Sequence, residues 1–395
     1  MGNIAPGILK ERSVAIESAY DTTQALAAGD GTKIMDDGLS IQPDRAQEEL
    51  QESVGTGSLQ GIRLGGRSGQ WSATVALSTR GATAPGSAPN WSDFAAAAFG
   101  VETINVDTSV VYTLSDTVLQ SLAIRERVST YLYQAAHGCW VESMELDFTQ
   151  NAIPKLSFSG GFATYAWCYN PTVGANANAA ATSVEVTAAH YGGISEGVIV
   201  KFGTEDNSGS GYTVTAVDWS AGTIAISPGL ANGISQNDAI VPIWPTNTYV
   251  SAVPVAGTQQ ALTINGVTLP VASAKITLAT GIHGLDKTSD RPERLSHGQR
   301  RVTFDFQCYY EDQVTAPPLG LALGQATNGD TVVGRDIDLR IGADTAGVRA
   351  KFSIPNGVCN VNEISVPGSE ETMINITGTA LQNSAALDEL VLTLD

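Results

Sequence analysis

Apolar and polar side chains alternate along the stretch from Gly138 to Trp167, in the pattern of two strands joined by a short turn. In the first predicted strand the apolar residues share one face: Trp140, Met144, Leu146 and Phe148. The polar residues share the opposite face: Ser143, Glu145, Asp147 and Thr149. Asn151 and Pro154 provide the turn, and the return strand repeats the alternation as far as Gly160. This period of two predicts strands with one buried face and one solvent-facing face.

A second hairpin of the same design lies near the C-terminus, between Gly357 and Gly378. A matching segment precedes each hairpin, Gly69–Leu77 for the first and Gly298–Phe306 for the second. Both segments begin with a Gly-Gln pair and then alternate. Because the order and approximate spacing of these segments agree, the sequence predicts a diverged internal duplication. The low identity between them leaves the alternative open that any two antiparallel halves share alternation and glycine-rich turns.

Residues 171–250 interrupt the duplicated pattern. Five short strands are predicted there: Ser183–Ala188, Glu196–Gly203, Gly211–Asp218, Gly222–Ser227 and Asn237–Ile243. The segment Asp218–Gly222 has the composition of a hairpin turn, with glycine where a positive φ is needed. We therefore predict three parts: a first module with an N-terminal arm at residues 1–170, an inserted small β-barrel or sandwich domain at residues 171–250, and a second module at residues 251–395.

One short helix is predicted from Asn90 to Gly100. Asn90 is the expected N-cap, and Gly100 fits the C′ position. Its apolar side chains are expected to cover one face, and a weaker helical counterpart is expected at residues 316–324. Residues 12–28 are expected to form one long strand, and the acidic, turn-rich residues 30–57 an exposed arm. With 41 glycines and only 15% charged residues, the chain is otherwise predicted to be all-β.

The formal net charge of −19 repels phosphate groups, so the composition argues against sequence-specific binding of DNA or RNA. It is compatible with an acidic surface past which nucleic acid slides. No apolar run reaches the length of about 20 residues that spans a bilayer as a helix, and no secretory signal is recognised at the N-terminus. Free thiols are expected for the four dispersed cysteines, with Cys139 and Cys359 at matching places in the two halves.

No catalytic, cofactor-binding or metal-binding motif is found in the sequence. The four histidines are far from one another along the chain and are expected to be structural or to lie at the surface: His137, His190, His283 and His297. The segment Glu205–Gly209 lacks the spaced ligands of a calcium loop and is expected to be a solvated hairpin tip. We therefore expect no enzymatic activity, no cofactor and no bound metal.

Taken together, these segments resemble the tail tube proteins of long-tailed bacteriophages. The resemblance rests on the first hairpin, on the strand Trp71–Leu77 with the loop and helix that follow it, and on the segments at residues 271–281 and 296–312. It covers roughly residues 60–170 and 255–395. The inserted domain departs from the minimal plan of the family and resembles the outward-facing extra domains that many tail proteins carry.

The resemblance implies a β-sandwich whose sheets join those of neighbouring copies, rings of six-fold or pseudo-six-fold symmetry, and stacking of rings into a hollow tube through which DNA leaves the capsid. It implies a place in the virion, assembly in the host cytoplasm, and contacts with tape measure, terminator and distal tail proteins, without a membrane. Glu145, Asp147 and Thr149 are the candidate lumen-facing residues, and an acidic inner wall is expected. DNA is expected to pass through the lumen without specific binding.

Two modules in one chain would allow three chains to complete a ring with pseudo-six-fold symmetry. The alternative is a hexamer in which the two halves of each chain form a single sandwich. Other functions remain open from the sequence. They are another phage structural component, such as a capsid decoration, baseplate or tail terminator protein, and an outer-membrane or secreted β-rich protein or enzyme.

Overall fold

The computed structural model describes residues 10–22, 27–35, 37–49, 62–129, 132–169, 171–244, 246–285, 291–309, 334–365, 371–382 and 388–395, and the structural statements below concern this part of the chain. The protein is all-β, as predicted. One α-helix, α1 (Ser92–Phe99), and two 3-10 helices, Ala28–Asp30 and Ala188–His190, accompany the strands in the described residues.

The strands of the first part of the chain are β1 (Glu11–Ile16), β2 (Leu39–Glu49), β3 (Ile62–Ala76), β4 (Ser78–Thr79), β5 (Gly100–Asn105), β6 (Ser109–Leu114), β7 (Leu122–Arg127), β8 (Leu132–Cys139), β9 (Ser143–Thr149), β10 (Lys155–Gly161) and β11 (Thr164–Tyr169). Those of the insert are β12 (Ser183–Glu185), β13 (Ile199–Phe202), β14 (Tyr212–Asp218), β15 (Thr223–Ser227) and β16 (Ile240–Pro242). The last part contributes β17 (Val253–Pro254), β18 (Gln260–Ile264), β19 (Val267–Leu269), β20 (Val271–Ala279), β21 (Ile282–Leu285), β22 (Arg294–His297), β23 (Arg301–Tyr309), β24 (Arg335–Gly342), β25 (Arg349–Ser365), β26 (Met373–Ala380) and β27 (Val391–Leu394).

The largest sheet contains fourteen strands and joins both halves of the chain. Eight of these strands form two consecutive groups of four, which we call the first and second units. The first unit has the order β2-β3-β10-β9, and the second unit has the order β20-β23-β26-β25. Antiparallel pairing of β9 with β20 joins the units side by side. The sequence analysis matched one preceding strand to each hairpin: β3 to the β9–β10 hairpin and β23 to the β25–β26 hairpin. In the structure each of these strands pairs with its hairpin, so the strand order agrees with the predicted duplication.

The two units share a core and lie side by side in one sheet. The units are not two modules with separate cores, because their buried side chains belong to one hydrophobic cluster. Nor are the halves two facing sheets of a sandwich, because both contribute adjacent strands to the same sheet. The β9–β20 pair is the reason, since it buries the sheet edge that each unit would otherwise expose.

One face of the main sheet is apolar, and α1 packs on it at the first unit. The ring of Phe94, which is fully buried, stacks between the rings of Trp71 and Phe158, with centroid distances of 5.5 Å and 5.2 Å. The indole nitrogen of Trp71 donates to the carbonyl oxygens of Trp140 and Gly161, each at 3.1 Å. The inward-facing residues predicted for the first hairpin are buried here: Met144, Leu146, Phe148, Leu156 and Phe158. Their burial is the main favourable contribution to this layer.

A four-stranded sheet with the order β1-β7-β8-β11 lies on the other side of α1, which contacts both β1 and β7. Because the helix lies between two sheets, every residue from Phe94 to Phe99 is buried, and the expectation of a single apolar face is wrong. The predicted cap is also wrong, because Trp91 rather than Asn90 precedes the first helical residue and makes no side-chain capping bond. The predicted end is confirmed, since Gly100 has a φ of 98° and donates its N–H to the carbonyl oxygen of Ala96.

All five strands predicted for the insert form, each shorter than predicted, and pair in the order β12-β15-β14-β13-β16. The predicted turn is confirmed. One carboxylate oxygen of Asp218 accepts hydrogen bonds from the N–H groups of Ser220 and Ala221, and Gly222 has a φ of 70°. The apolar face of this five-stranded sheet packs on the four-stranded sheet, whose contributions to the shared cluster are Tyr133, Ala135, Ala166 and Cys168. The insert therefore has its own sheet, but its hydrophobic core includes residues outside it.

The N-terminal part differs from the prediction. Strand β1 ends at Ile16, and a loop and a 3-10 turn follow, so residues 12–28 are not one strand. Part of the predicted exposed arm is strand β2, which pairs with β3 from Leu39 to Glu49. Polar and acidic residues are tolerated in β2 because it lies at the sheet edge and is solvated. Residues 50–57 of the arm and the predicted helix at residues 316–324 lie outside the described residues.

All four cysteines carry free thiols, as expected, and all four lie in the described part of the chain. Cys139 ends β8 in the four-stranded sheet, whereas Cys359 lies in β25 of the main sheet, so the two do not occupy matching places. Trp140 also precedes β9 rather than belonging to it. The chain passes from one sheet to the other between Cys139 and Ser143, and alternation alone does not show such a transition.

Candidate functional site

The face of the main sheet opposite α1 is almost entirely polar. Rows of side chains cross the strands on this face. One row consists of Ser40, Ser72, Ser159 and Ser143. The next consists of Thr74, Ser157, Glu145, Thr277, Thr303 and Thr379. The third consists of Lys155, Asp147, Lys275, Asp305, Thr377 and Asn360. Hydroxyl and amide groups predominate, and they form a surface that water can solvate.

The structure places Glu145, Asp147 and Thr149 on this polar face, opposite the buried face of β9. Glu145 accepts a hydrogen bond from Lys275 of the neighbouring β20, with Nζ and Oε1 2.9 Å apart, and this bond raises the pKa of the lysine. Asp147 lies between Lys155 and Lys275 in the strand register. Exposed pairs of this kind contribute at most about 1 kcal/mol each to stability. Their main effect is to balance the charge of the face.

The side chains that the structure describes on the polar face carry charges of both signs. Among the residues of the two units whose side chains the structure describes, four carboxylates face this side: Asp44, Glu145, Asp147 and Asp305. Three cations face it as well: Lys155, Lys275 and Arg301. Lysine and aspartate alternate along one row, because like charges on directly opposite residues would be destabilising. Over these described side chains the face is polar and close to neutral.

Within the described residues one lateral edge of the eight strands is unpaired, and the other is unpaired over part of its length. Strand β2 pairs with β3 on one side only. Pro43 lies in β2, and proline, which has no N–H, is tolerated on edge strands. At the other end, β25 pairs with β26 from Gly357 to Ser365, whereas its pairing with β24 ends at Gly357. Such unpaired backbone edges are templates for the strand of another chain.

Two glycines mark equivalent positions in the two units. A Cβ added at Gly160 would lie 1.9 Å from a backbone carbonyl oxygen, and one at Gly378 would lie 2.1 Å from another. Neither position accepts a side chain. Gly160 is paired with Trp71 in β3, and Gly378 is paired with Phe304 in β23. The two glycines therefore occupy equivalent positions. Other residues of the two units can be matched by counting from them.

The polar face is concave at the second unit. A depression of about 350 Å³ lies there, and its lining includes Lys275, Asp305, Asn360 and Gly378. Small-molecule sites are mostly apolar, with a few placed polar groups. This open and largely polar depression does not have that character, so we interpret it as curvature of the sheet.

A buried polar cluster was missed by the sequence reasoning. The Glu17 side chain is fully buried and accepts hydrogen bonds from the Ser121 hydroxyl at 2.6 Å and from the N–H groups of Gly138 at 2.9 Å and Asp21 at 3.0 Å. His137 Nδ1 lies 3.6 Å from Glu17 Oε1. These residues come from distant parts of the chain, so no local spacing could reveal them. The donors around Glu17 replace the water that burial removes.

The acidic segment at residues 205–209 is a hairpin tip between β13 and β14, as predicted. The carboxylate of Glu205 accepts hydrogen bonds from Tyr212 and Asn232, which lower its pKa. Within the described ranges, no group of three or more His, Cys, Asp or Glu side chains could hold a metal ion. None of the helices described has the length and apolar character needed to cross a bilayer.

Comparison with protein-family models gives no match for this chain, and comparison with curated proteins gives none either. The functional argument therefore depends on the geometry of the polar face and its two edges.

Proposed function

We propose that the chain is a structural virion protein whose copies close into rings, and that the rings stack into a phage tail tube that conducts DNA during ejection. One observation carries the proposal. Two four-stranded units repeat side by side in one sheet. In the described residues the outer strand β2 pairs on one side only, and the outer strand β25 pairs with β26 alone beyond Gly357. Repeated units with an unpaired strand edge at each end can pair with further copies, and such pairing can close into a ring.

The junction inside the chain supplies a template for the junction between chains. In the second unit β25 has the place that β9 has in the first, and β2 has the place that β20 has in the second. The antiparallel β9–β20 pair therefore predicts antiparallel pairing of β25 with β2 of the next copy. This contact is head-to-tail, so it produces a ring when the rotation between units closes. Three chains supply the six units of a pseudo-six-fold ring.

The polar face suits the inner wall of such a ring. The opposite face is buried in the hydrophobic cluster, so the polar face is the one that can contact water. Six units of four strands exceed the about 16–18 strands with which a closed sheet already leaves an aqueous channel. Affinity for DNA depends on clustered cations that neutralise phosphates, and this face has hydroxyl groups and balanced charges instead. DNA would slide along it without being held.

The glycine equivalence predicts the register of the junction between chains. Ser159 and Thr377 each precede one of the two glycines, and they pair with Ser143 and Asn360 respectively. Ser143 also pairs with Ala279 across the internal junction. Trp71 and Phe304 lie opposite the two glycines and are therefore equivalent. The residue three positions before Trp71 pairs with Asp44, and the residue three positions before Phe304 pairs with Ala279, so Asp44 is the equivalent of Ala279. Asn360 of one chain should therefore face Asp44 of the next.

Cysteine cross-linking tests this register directly. Cα atoms of opposite residues in an antiparallel pair are about 4.5–5.5 Å apart, which is within the range of a disulfide. The double variant Asp44→Cys with Asn360→Cys should form a covalent ring of three chains of 41.1 kDa each, seen on a non-reducing gel after mild oxidation. The matched control is Ser72→Cys with Asn360→Cys, which moves the first cysteine from the edge to an interior strand of the same polar face. It should remain monomeric on the gel.

Electron microscopy and light scattering of the unmodified protein provide the second readout. Rings or hollow tubes of constant diameter are expected above a threshold concentration. A strictly monomeric protein at high concentration would refute ring formation. A cross-linked ladder that continues past three chains would refute closure at three and leave an open or larger assembly. The proposed partners at the ends of the tube are the tape measure, terminator and distal tail proteins.

A further inference from the structure

A groove of about 520 Å³ lies between the four-stranded sheet and the insert sheet. Tyr165 and Trp167 of β11 line it from the four-stranded sheet, and Trp219, in the turn between β14 and β15, lines it from the insert. We call it the aromatic groove. Its volume is in the range of about 300–1,000 Å³ that is typical of ligand sites.

The aromatic rings of the groove are held in place by contacts with one another and with neighbouring residues. The rings of Tyr165 and Trp167 stack with centroids 5.6 Å apart. The indole nitrogen of Trp167 donates to the carbonyl oxygen of Gly192 at 2.8 Å, and Trp219 packs against Tyr191 with centroids 5.9 Å apart. Rings that are fixed before a ligand arrives lose little conformational entropy on binding.

Polar groups converge elsewhere in the lining. The Thr164 hydroxyl donates to Asp21 Oδ2 at 3.0 Å, and Arg291 Nη1 donates to Thr164 Oγ1 at 2.7 Å. Burial raises the pKa of Asp21. His137 also lines the groove, its side chain is only 3% exposed, and within the described residues neither ring nitrogen has a hydrogen-bond partner. Although Nδ1 lies 3.6 Å from Glu17 Oε1, a buried imidazole whose nitrogens make no hydrogen bond is costly unless a ligand or water completes it.

The groove lies on the side of the molecule away from the polar face of the main sheet. Helix α1 packs on the apolar face of that sheet at the first unit, and the four-stranded sheet lies beyond α1. The insert sheet packs on the four-stranded sheet in turn. If the polar face lines a tube, the groove therefore opens on its outer side, although binding at the groove does not depend on tube formation.

We infer that the aromatic groove binds a neutral saccharide chain. The C–H-rich face of a sugar ring stacks on an aromatic ring, and its hydroxyls hydrogen-bond to carboxylates, hydroxyls and imidazole nitrogens, all of which this groove presents together. Its charged lining residues are Asp21, Glu196 and Arg291, and Arg291 is already within 3.4 Å of Asp21. With two carboxylates and one engaged guanidinium, the groove repels phosphates and other anions, which argues against a nucleotide or an acidic polymer.

Binding of neutral oligosaccharides to the full-length protein tests this inference. The probes are tri- to hexasaccharides of glucose, galactose, mannose and N-acetylglucosamine, measured by calorimetry and by tryptophan fluorescence. At least one probe should bind saturably with a dissociation constant of about 1 mM or tighter. Trp219→Ala should weaken binding by about tenfold, the effect of losing one stacked ring. Trp219→Phe, which keeps an aromatic face, should recover most of it.

Tyr249→Ala is the matched control, because Tyr249 is an exposed aromatic residue that does not line the groove. It should bind as the unmodified protein does. Circular dichroism should show that all three variants are folded. The inference is overturned if no neutral probe binds, if Trp219→Ala and Tyr249→Ala have equal affinities, or if only a proline-rich peptide or an anionic polymer occupies the groove.

Discussion

Removal of the Phe94 side chain is the sharpest test of how α1 is held on the main sheet. Its ring is fully buried between the rings of Trp71 and Phe158. Phe→Ala substitutions at such sites cost about 3–5 kcal/mol, which includes lost transfer free energy and the cavity left behind. The higher helix propensity of alanine returns less than about 0.7 kcal/mol. We therefore expect Phe94→Ala to lower the free energy of unfolding by about 4 kcal/mol.

Urea unfolding, followed by tryptophan fluorescence below the concentration at which the protein assembles, measures this loss. Phe94→Leu should lose less, since most of the side-chain volume remains. Val106→Ala is the control, because Val106 is 75% exposed and its change should alter stability by less than about 0.5 kcal/mol. A loss below about 1.5 kcal/mol for Phe94→Ala, with an unchanged m-value, would refute the stacked packing of helix on sheet.

Three further substitutions test other parts of the structure. Gly378→Ala should destabilise the protein or prevent its folding, because the new Cβ would lie 2.1 Å from a backbone oxygen, whereas Gly29→Ala has no atom within 4 Å and should be neutral in thermal unfolding. Burial raises the pKa of Asp93 to about 7, above its usual value of 3.8, so stability should fall as pH rises from 4 to 7. Asp93→Asn should abolish that fall and add roughly 1–4 kcal/mol at pH 8, and an unchanged pH profile would contradict the assignment. Glu145→Lys with Asp147→Lys should permit assembly but make tubes retain DNA at low salt, and equal retention by unmodified tubes would count against a polar-face lumen.

Much of the secondary structure was predictable because its causes are local. The alternation in β9 and β10 required only the period of two, and Asn151, with a φ of 65°, lies in the predicted turn. The insert strands and the turn at Asp218 were found for the same reason. The prediction failed for β2, where polar and acidic residues suggested an exposed arm. An edge strand contacts solvent along one side, so its composition resembles that of a loop.

The candidate site was only partly visible in the sequence. The face occupied by Glu145, Asp147 and Thr149 followed from alternation, but its charge balance did not. Lys275 neutralises Glu145 because β20 pairs with β9, and that pairing joins strands from opposite halves of the chain. The buried Glu17 and its donors were missed for the same reason, since none of its partners is near it in sequence except the N–H of Asp21.

The sequence by itself determined most of the interior strands, which side of these strands is buried, and that two halves of the chain share a plan. Each of these depends on side-chain chemistry within a few residues. Only the tertiary structure decided which strands are neighbours, that the two units lie side by side in one sheet, and that β2 and the part of β25 beyond Gly357 have a neighbour on one side only in the described residues. Strand pairing satisfies backbone hydrogen bonds that are the same for nearly every residue, so composition and alternation cannot specify the partner, and the packing of the whole chain selects it.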